Sequence, residues 1–282
     1  NQDRQCFETY VKSDRLLGEQ VVIDNRGGAG GTLGAEIAAQ ATADGYTLFA
    51  CNIASLAVSP ALYRKLRYNP NTDFAPIGLI GSNPNVLVVH PSLKATTVAE
   101  YVALAKAQPG KLNYASSGVG TSPQLSAELF KKATNINVLH IAYKGAGPAV
   151  IDLLGGHVRS MFATVPSVLG AVRAGKIRAL GVTSKTRAAD LPNVPTLAES
   201  GLPDFEVISW QGLCTPTGTP EAVLIRLRAS LATAIELPAT RKQMADQGIQ
   251  ATPLFAAKFG AFIRAEQTKW SKAVKDLGIP LR

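Results

Sequence analysis

Histidine and cysteine are scarce in this chain of 282 residues, three of each. Cys6, Cys51 and Cys214 lie far apart, and no two have the close spacing of a zinc site or a redox dithiol. Each therefore reads as a small buried hydrophobe. His90, His140 and His157 also stand alone. His90 and His140 each close an apolar run, NVLVVH and NVLH, where structural positions are common and metal ligation or base catalysis is not expected. Aromatic residues make up only 6% of the chain. No apolar stretch approaches the roughly 20 residues of a membrane-spanning helix. No basic-then-apolar leader opens the sequence, which leaves two expectations: a cytoplasmic protein, or a periplasmic one whose signal peptide has been removed.

Clustered charge is missing as well. Lys and Arg number 29 against 20 Asp and Glu, a net +9, but the basic residues are spread along the chain and read as a solvated basic surface. A nucleic-acid partner calls for basic clusters interleaved with exposed aromatics. The nearest approach to a cluster, Arg173 to Arg187, contains no aromatic residue, so no nucleic acid is expected. With 46% hydrophobic and 17% charged residues, the composition is that of a globular protein with one large or two medium α/β domains.

What is present centres on Asn113 to Pro123, NYASSGVGTSP, followed by the amphipathic run QLSAELFKKA. A strand that ends in small residues runs into a Ser/Gly/Thr loop and then a helix. Unpaired backbone N–H groups and hydroxyls then converge on one point, which makes an anion cradle. No carboxylate, histidine or cysteine sits inside the loop, so it can hold a negative charge but has no group to act on it. The pattern points to binding rather than catalysis.

Short β-rich runs alternate with helical patterns along most of the chain. The predicted strands are VVIDN (21 to 25), YTLFAC (46 to 51), APIGLI (75 to 80), NVLVVH (85 to 90), KLNYAS (111 to 116), NVLHIAY (137 to 143), RSMFAT (159 to 164) and KIRALGVT (176 to 183). Segments such as TVAEYVALAKA and GPAVIDLLGG lie between them. The alternation predicts parallel sheets with helical crossovers, and the chain from Thr219 onward reads as helices only. Two crossings between lobes are expected, one after His90-Pro91 and one near Ser209 to Gly218. They give lobe 1 as 1–90 plus 212–282 and an inserted lobe 2 as 91–211, with a cleft between them. Loops after Cys51, Ser116, Tyr143 and Ala163 would face that cleft.

VVIDNRGGAGGTLGAE, ADGYTLFACN, YNPNTDFAPIGLIG, YASSGVGTSPQLSAELF, IAYKGAGPAVIDLLGGHV, GKIRALGVTS, LPNVPTLAESGLPDFE and SWQGLCTPTGTP occur in fixed order from about Leu17 to the C-terminus. Together they resemble the Bug family, the TctC-like periplasmic solute-binding proteins of tripartite tricarboxylate transporters. The resemblance implies a type II periplasmic-binding fold, two Rossmann-like α/β lobes that close on a small carboxylate. It also implies a monomer that hands its solute, a di- or tricarboxylate or an aromatic acid, to membrane permease subunits. No enzyme activity, cofactor or metal is implied. In the family a ligand carboxylate is held largely by backbone N–H groups and ordered water. The positions matched here are Ser116, Ser117, Gly118, Gly120, Thr121 and Ser122 in the Ser/Gly loop; Asn52, Ala54 and Ser55 after the second strand; Tyr143, Lys144 and Gly145; Ala163 and Thr164; and Trp210, as a stacking residue. For Tyr143, Lys144 and Trp210 a structural role and ligand contact stand as equal expectations.

Two departures from the family pattern carry expectations of their own. The family opens on a hydrophobic strand and a Pro/Gly-rich loop, whereas this sequence opens NQDRQCFETYVKSDRLLGEQ. Cys6, Phe7, Tyr10, Val11, Leu16 and Leu17 there have rough helical spacing, so the first-lobe half of the site is expected to be altered and its sheet weakened. Several relatives also place an acidic residue just after the matching Met-Phe pair, where this chain has Ala163 and Thr164. A carboxylate there could pair with a ligand amino group, so the expected ligand is a mono- or dicarboxylic acid without one.

Two other classes use overlapping features. Gly28-Ala29-Gly30-Gly31-Thr32-Leu33-Gly34 resembles a dinucleotide turn, but its spacing is G-x-G-x-x-x-G and no acidic ribose partner follows the next strand. A tight strand-to-helix connection is the favoured reading. Ser116 and Ser117 lack a G-x-S-x-G elbow, which disfavours a hydrolase. A ligand sensor coupled to a two-component membrane kinase would use the same fold and site as a transport receptor.

Overall fold

The computed structural model describes residues 17–18, 20–26 and 28–282. The expectations placed on Cys6 to Leu16, including the altered first strand, lie outside the described residues. The chain divides into two compact units, one of residues 83–209 and the other of the described residues up to Ser82 together with Trp210–Arg282.

In chain order the second of these units begins with α1 (Thr32–Ala39), β1 (Phe49–Asn52), a single π-helical turn (Ala54–Val58) continued by α2 (Ser59–Leu62), and β2 (Phe74–Val89). The unit of 83–209 contains the second half of β2, then α3 (Val98–Ala107), β3 (Asn113–Ser116), α4 (Ser122–Thr134), β4 (Leu139–Ala142), α5 (Ala146–Leu154), β5 (Ser160–Thr164), α6 (Val165–Arg173) and β6 (Arg178–Val182). The chain returns through β7 (Ile208–Pro216) to α7 (Glu221–Glu236), α8 (Pro238–Asp246), β8 (Gln250–Phe255) and α9 (Ala256–Asp276).

The runs APIGLI and NVLVVH are one strand, β2, and the units divide inside it at 82/83 and inside β7 at 209/210, where the sequence places boundaries at 90/91 and 211/212. Pro84 does not break β2. It falls between the last rung with β8, Ser82↔Gln250, and the first rung with β5, Asn85↔Thr164, so its missing N–H removes no bond from either ladder.

In the unit of 83–209 the strands run in the order β4-β3-β5-β2-β6. β3 is parallel to both β4 and β5, whereas β2 is antiparallel to β5 and β6. The expected all-parallel sheet is therefore mixed. The parallel part is the portion built by β-α-β crossovers, and β2 enters that sheet from the other unit in the opposite direction. In the second unit β1 pairs with β7 and β2 with β8, both antiparallel.

Local signals explain the helices. Thr97 opens α3 with a capping box, its hydroxyl accepting the Glu100 N–H at 3.1 Å while the Glu100 carboxylate accepts the Thr96 N–H at 2.6 Å. That backbone donor holds the Glu100 carboxyl below its ordinary range. In α9, Phe259, Ile263, Trp270 and Val274 recur at helical spacing and are buried. The core of the 83–209 unit packs Val86, Val88, Ala115, Met161, Ala163 and Val182 from the sheet against Ala149, Leu153, Val165 and Leu169 from the helices.

Two sequence expectations are corrected. VVIDN forms no strand: Val21 and Ile23 pack against the core around Ile77, Leu213 and Leu231 while Val22 is exposed, but no ladder among the described residues pairs this segment. The C-terminal third is not purely helical, because QATPLF is β8. Proline in the run and weak alternation hide this edge strand. Its pairing depends on Gly81, where a β-carbon would lie 2.7 Å from the Gln250 carbonyl oxygen.

Candidate functional site

Three neighbouring parallel strands of the 83–209 unit each run directly into a helix: β3 into α4, β4 into α5 and β5 into α6. The three helices therefore begin along the same edge of the sheet. Their N-cap residues are Thr121, Gly145 and Thr164, and none caps a backbone N–H of its helix with a side chain, the Thr164 hydroxyl donating instead to Ser167 Oγ at 3.2 Å. Pro123, Pro148 and Pro166 occupy the first turns, where an N–H would have no helical partner. The edge thus carries the partial positive charge of three helix dipoles, with no acidic residue in any of the three first turns.

The loop between β3 and α4 is held by its own polar groups. The Ser116 hydroxyl is buried, accepts the Gly118 N–H at 3.2 Å and hydrogen-bonds His140 Nε2 at 2.7 Å. Thr121 Oγ1 donates to the Gly118 carbonyl at 2.6 Å instead of capping α4, and the Gly120 N–H donates to Gln124 Oε1 at 2.7 Å. Gly118 has φ +140°, and a β-carbon there would lie 3.1 Å from the Tyr143 carbonyl oxygen. The β4–α5 loop is tied to this one by two backbone bonds, from Tyr143 N–H to Ser116 O (3.1 Å) and from Gly145 N–H to Ser117 O (2.9 Å). Ser116, Ser117, Gly118, Gly120, Thr121, Ser122, Tyr143, Lys144 and Gly145 are thus brought together. Among the described residues, the Ser117 hydroxyl and the exposed Lys144 ammonium have no side-chain partner, so these are the donors the loop does not consume.

Ser122, at the start of α4, has a structural task. It donates to Asn85 Oδ1 at 3.2 Å, and the Asn85 amide donates to Ser126 Oγ at 2.9 Å, all three side chains being buried. Thr164 is the rung partner of Asn85 and is itself buried, with Ser167 donating to its carbonyl at 2.7 Å. Ala163 faces the hydrophobic core. Tyr143 donates its hydroxyl to Asp152 Oδ2 at 2.6 Å. Burial and then that carboxylate push its pKa up to about 12, so the phenol stays neutral and the donor stays in place.

Asn52, Ala54 and Ser55 lie in the other unit, at the carboxyl end of β1. Asn52 Oδ1 accepts the Ser55 N–H at 3.0 Å, Ser55 Oγ accepts the Asn52 N–H at 3.2 Å, and Ala54 is buried in the π-helical turn. Trp210 is in the core of this unit. Its ring packs edge-on against Phe259 and Phe262, and its indole N–H donates to Glu266 at 3.0 Å, an arrangement of packing rather than of an open stacking face.

Two groups escaped the sequence reading. His140 was assigned to structure, yet the parallel register places Ser116 beside the β4 run so that the imidazole reaches its hydroxyl while stacking on Tyr114 at 4.8 Å. The signal is weak: a histidine two residues before the end of a strand. Gly31, the left-handed N-cap of α1, lies beside Asn52 and Ser55, each within 3.9 Å of the position a β-carbon would take. The GGAGG run carried that signal. Among the described residues no three His, Cys, Asp or Glu side chains group as a metal site, and no helix is long and apolar enough to cross a membrane.

The model of the tripartite tricarboxylate transporter family receptor, TctC, matches residues 6–279. The chain belongs to this family. The TctC assignment agrees with the similarity to Protein BugT of Bordetella pertussis, 37% identical over 94% of this chain and 82% of that protein. Among solved structures, the periplasmic binding protein BugD is 31% identical with a TM-score of 0.95, covering 99% of this chain and 94% of BugD. The R. palustris protein Rpa4515, solved with adipate, is 32% identical with a TM-score of 0.96 over 99% of this chain and 94% of its own. The TctC chain thus has the mixed α/β fold with open sheets of periplasmic solute-binding proteins, and its family is one of carboxylate-binding receptors.

Proposed function

We propose that this TctC-family chain is a periplasmic receptor that captures a small dicarboxylate lacking an α-amino group and delivers it to the membrane subunits of a tripartite tricarboxylate-type transporter. The observation that carries the reading is the edge at which α4, α5 and α6 begin, with three uncapped N-termini and no carboxylate in their first turns. Such an edge attracts an anionic group and supplies backbone donors to it. One ligand carboxylate is assigned to the Ser117–Thr121 loop, with the Ser117 hydroxyl and Lys144 ammonium as side-chain donors. Ser116, Ser122 and Tyr143 hold that loop rather than the ligand. The solved Rpa4515 relative with adipate supports a plain diacid as the ligand class.

The test is thermal unfolding and titration calorimetry of the purified chain with adipate, succinate, citrate, benzoate and aspartate, at matched pH and ionic strength. Ligand at 100 times Kd stabilises the native state by about 2.7 kcal/mol, a rise of roughly 5 °C in Tm. A rise with a plain diacid is the expected result. Silence from every acid sinks the receptor reading, and tight aspartate binding with no response to plain diacids sinks the exclusion of amino groups.

A further inference from the structure

Two of the three cysteines, 163 residues apart in sequence, meet in the sheet of the second unit. The β1–β7 register sets Phe49 opposite Cys214 and Cys51 opposite Gly212. Cys51 and Cys214 therefore project from the same face, two residues out of step, and the Phe259 ring fills the space beside them where Gly212 lacks a side chain. Their sulfurs are 3.3 Å apart, and both residues are 1% exposed. Neither thiol is used by the candidate binding loops.

We propose that Cys51 and Cys214 are joined by a disulfide when the chain folds in the presence of a disulfide oxidant. A thiolate of one cysteine attacks the oxidant's disulfide, forming a mixed disulfide and releasing one oxidant thiol. The second cysteine then attacks the protein sulfur of that mixed disulfide and releases the other. Two S–H bonds are lost and one S–S bond forms, and the two electrons and two protons leave as two oxidant thiols. Because the two cysteines are diagonal across the ladder, bringing the sulfurs from 3.3 Å to a bond length of about 2.05 Å requires the β1 and β7 backbones to draw together as well as side-chain rotation.

The burial that protects the bond also sets when it forms. Desolvation, followed by the neighbouring Cys214, raises the Cys51 thiol well above its ordinary value, so the nucleophilic thiolate is suppressed once β1 and β7 have packed. Exchange belongs to the stage at which these strands come together, and the finished bond is out of reach of soluble reductant. It closes a long loop, which restricts the unfolded chain. It also ties β1 to β7 immediately before Asn52 and Ser55. The inference rests on the periplasmic reading only for the natural oxidant, because such a compartment maintains disulfides.

The experiment is refolding of the denatured, reduced full chain in a mixed oxidised and reduced glutathione buffer, followed by denaturing alkylation and peptide mass mapping. The Cys6→Ser variant is run in parallel to remove the competing thiol. The expected result is no alkylated sulfur in C6S, a single cross-linked peptide joining Cys51 to Cys214, and a Tm several degrees above that of the same chain refolded under reductant. The paired variant C51A/C214A is expected to fold and to lose that difference between oxidising and reducing conditions. Native circular dichroism with both sulfurs alkylated, or each carrying glutathione, overturns the proposal. No carboxylate enters this assay, so failure of the binding reading and failure of the disulfide are seen separately.

Discussion

Replacing Asn85 by alanine tests whether the start of α4 is fixed from behind by a buried polar network. Asn85 is fully buried, and its side chain accepts from Ser122 and donates to Ser126. Asn85→Ala leaves the buried Ser122 hydroxyl without its acceptor, which costs about 1–3 kcal/mol. Ser126 loses less, because its hydroxyl still donates to the Ser122 carbonyl at 2.9 Å. The space left by the carboxamide adds about 1 kcal/mol. The sum is a destabilisation of about 2–4 kcal/mol, a large fraction of the roughly 5–15 kcal/mol that holds a native protein together. Urea unfolding followed by far-UV circular dichroism should show a midpoint lower by about 1–2 M with an unchanged slope. Asn85→Asp should be worse at neutral pH, since a carboxylate cannot donate to Ser126, and should recover as pH falls and the acid regains a proton. In a double-mutant cycle with Ser122→Ala the coupling should be about 0.5–1.5 kcal/mol. A loss below about 0.5 kcal/mol for Asn85→Ala, or zero coupling, would refute the network.

The remaining predictions concern the loop, the tryptophan and the tyrosines. Gly118→Ala, at φ +140° with the Tyr143 carbonyl 3.1 Å from the new β-carbon, should cost about 1–3 kcal/mol of stability and at least tenfold in adipate affinity by calorimetry; unchanged affinity would remove this loop from the site. Trp210→Phe should lower stability by about 1–3 kcal/mol through loss of the indole bond to Glu266, while affinity changes less than about twofold. A large affinity loss at normal stability would instead make Trp210 a ligand contact. Burial raises the Tyr101 and Tyr143 hydroxyls to about 12, so between their unfolded value near 10 and that pH the native state holds protons that the unfolded chain has released. Stability should therefore fall as pH rises through this window, and Tm values that stay flat above pH 10 would contradict the assigned burial and bonding.

Legibility differed between elements for identifiable reasons. The loop Ser116–Ser122 was readable because small residues, two hydroxyl pairs and a following amphipathic run are all local. Its support was not, because Asn85 lies on β2 and His140 on β4, and only strand register brings their side chains to Ser122 and Ser116. Trp210 stood out as an aromatic beside an expected crossing, but Phe259 and Phe262 from the last helix enclose it, a contact across about fifty residues that no window of sequence contains. Edge strand β8 was missed because Pro253 and a weak alternation hide it, and its pairing depends on a glycine in another strand.

Sequence alone determined the helix-loop chemistry: the prolines of the first turns, the glycines at positive φ, the absence of acids at three helix starts and the family pattern that orders these pieces. Each is set by residues within a few positions of one another. Tertiary structure decided which strands lie side by side, that β2 joins both sheets as one strand, and that Cys51 meets Cys214 across the β1–β7 ladder. Those outcomes depend on long-range pairing, in which a shift of one residue would send every side chain to the opposite face.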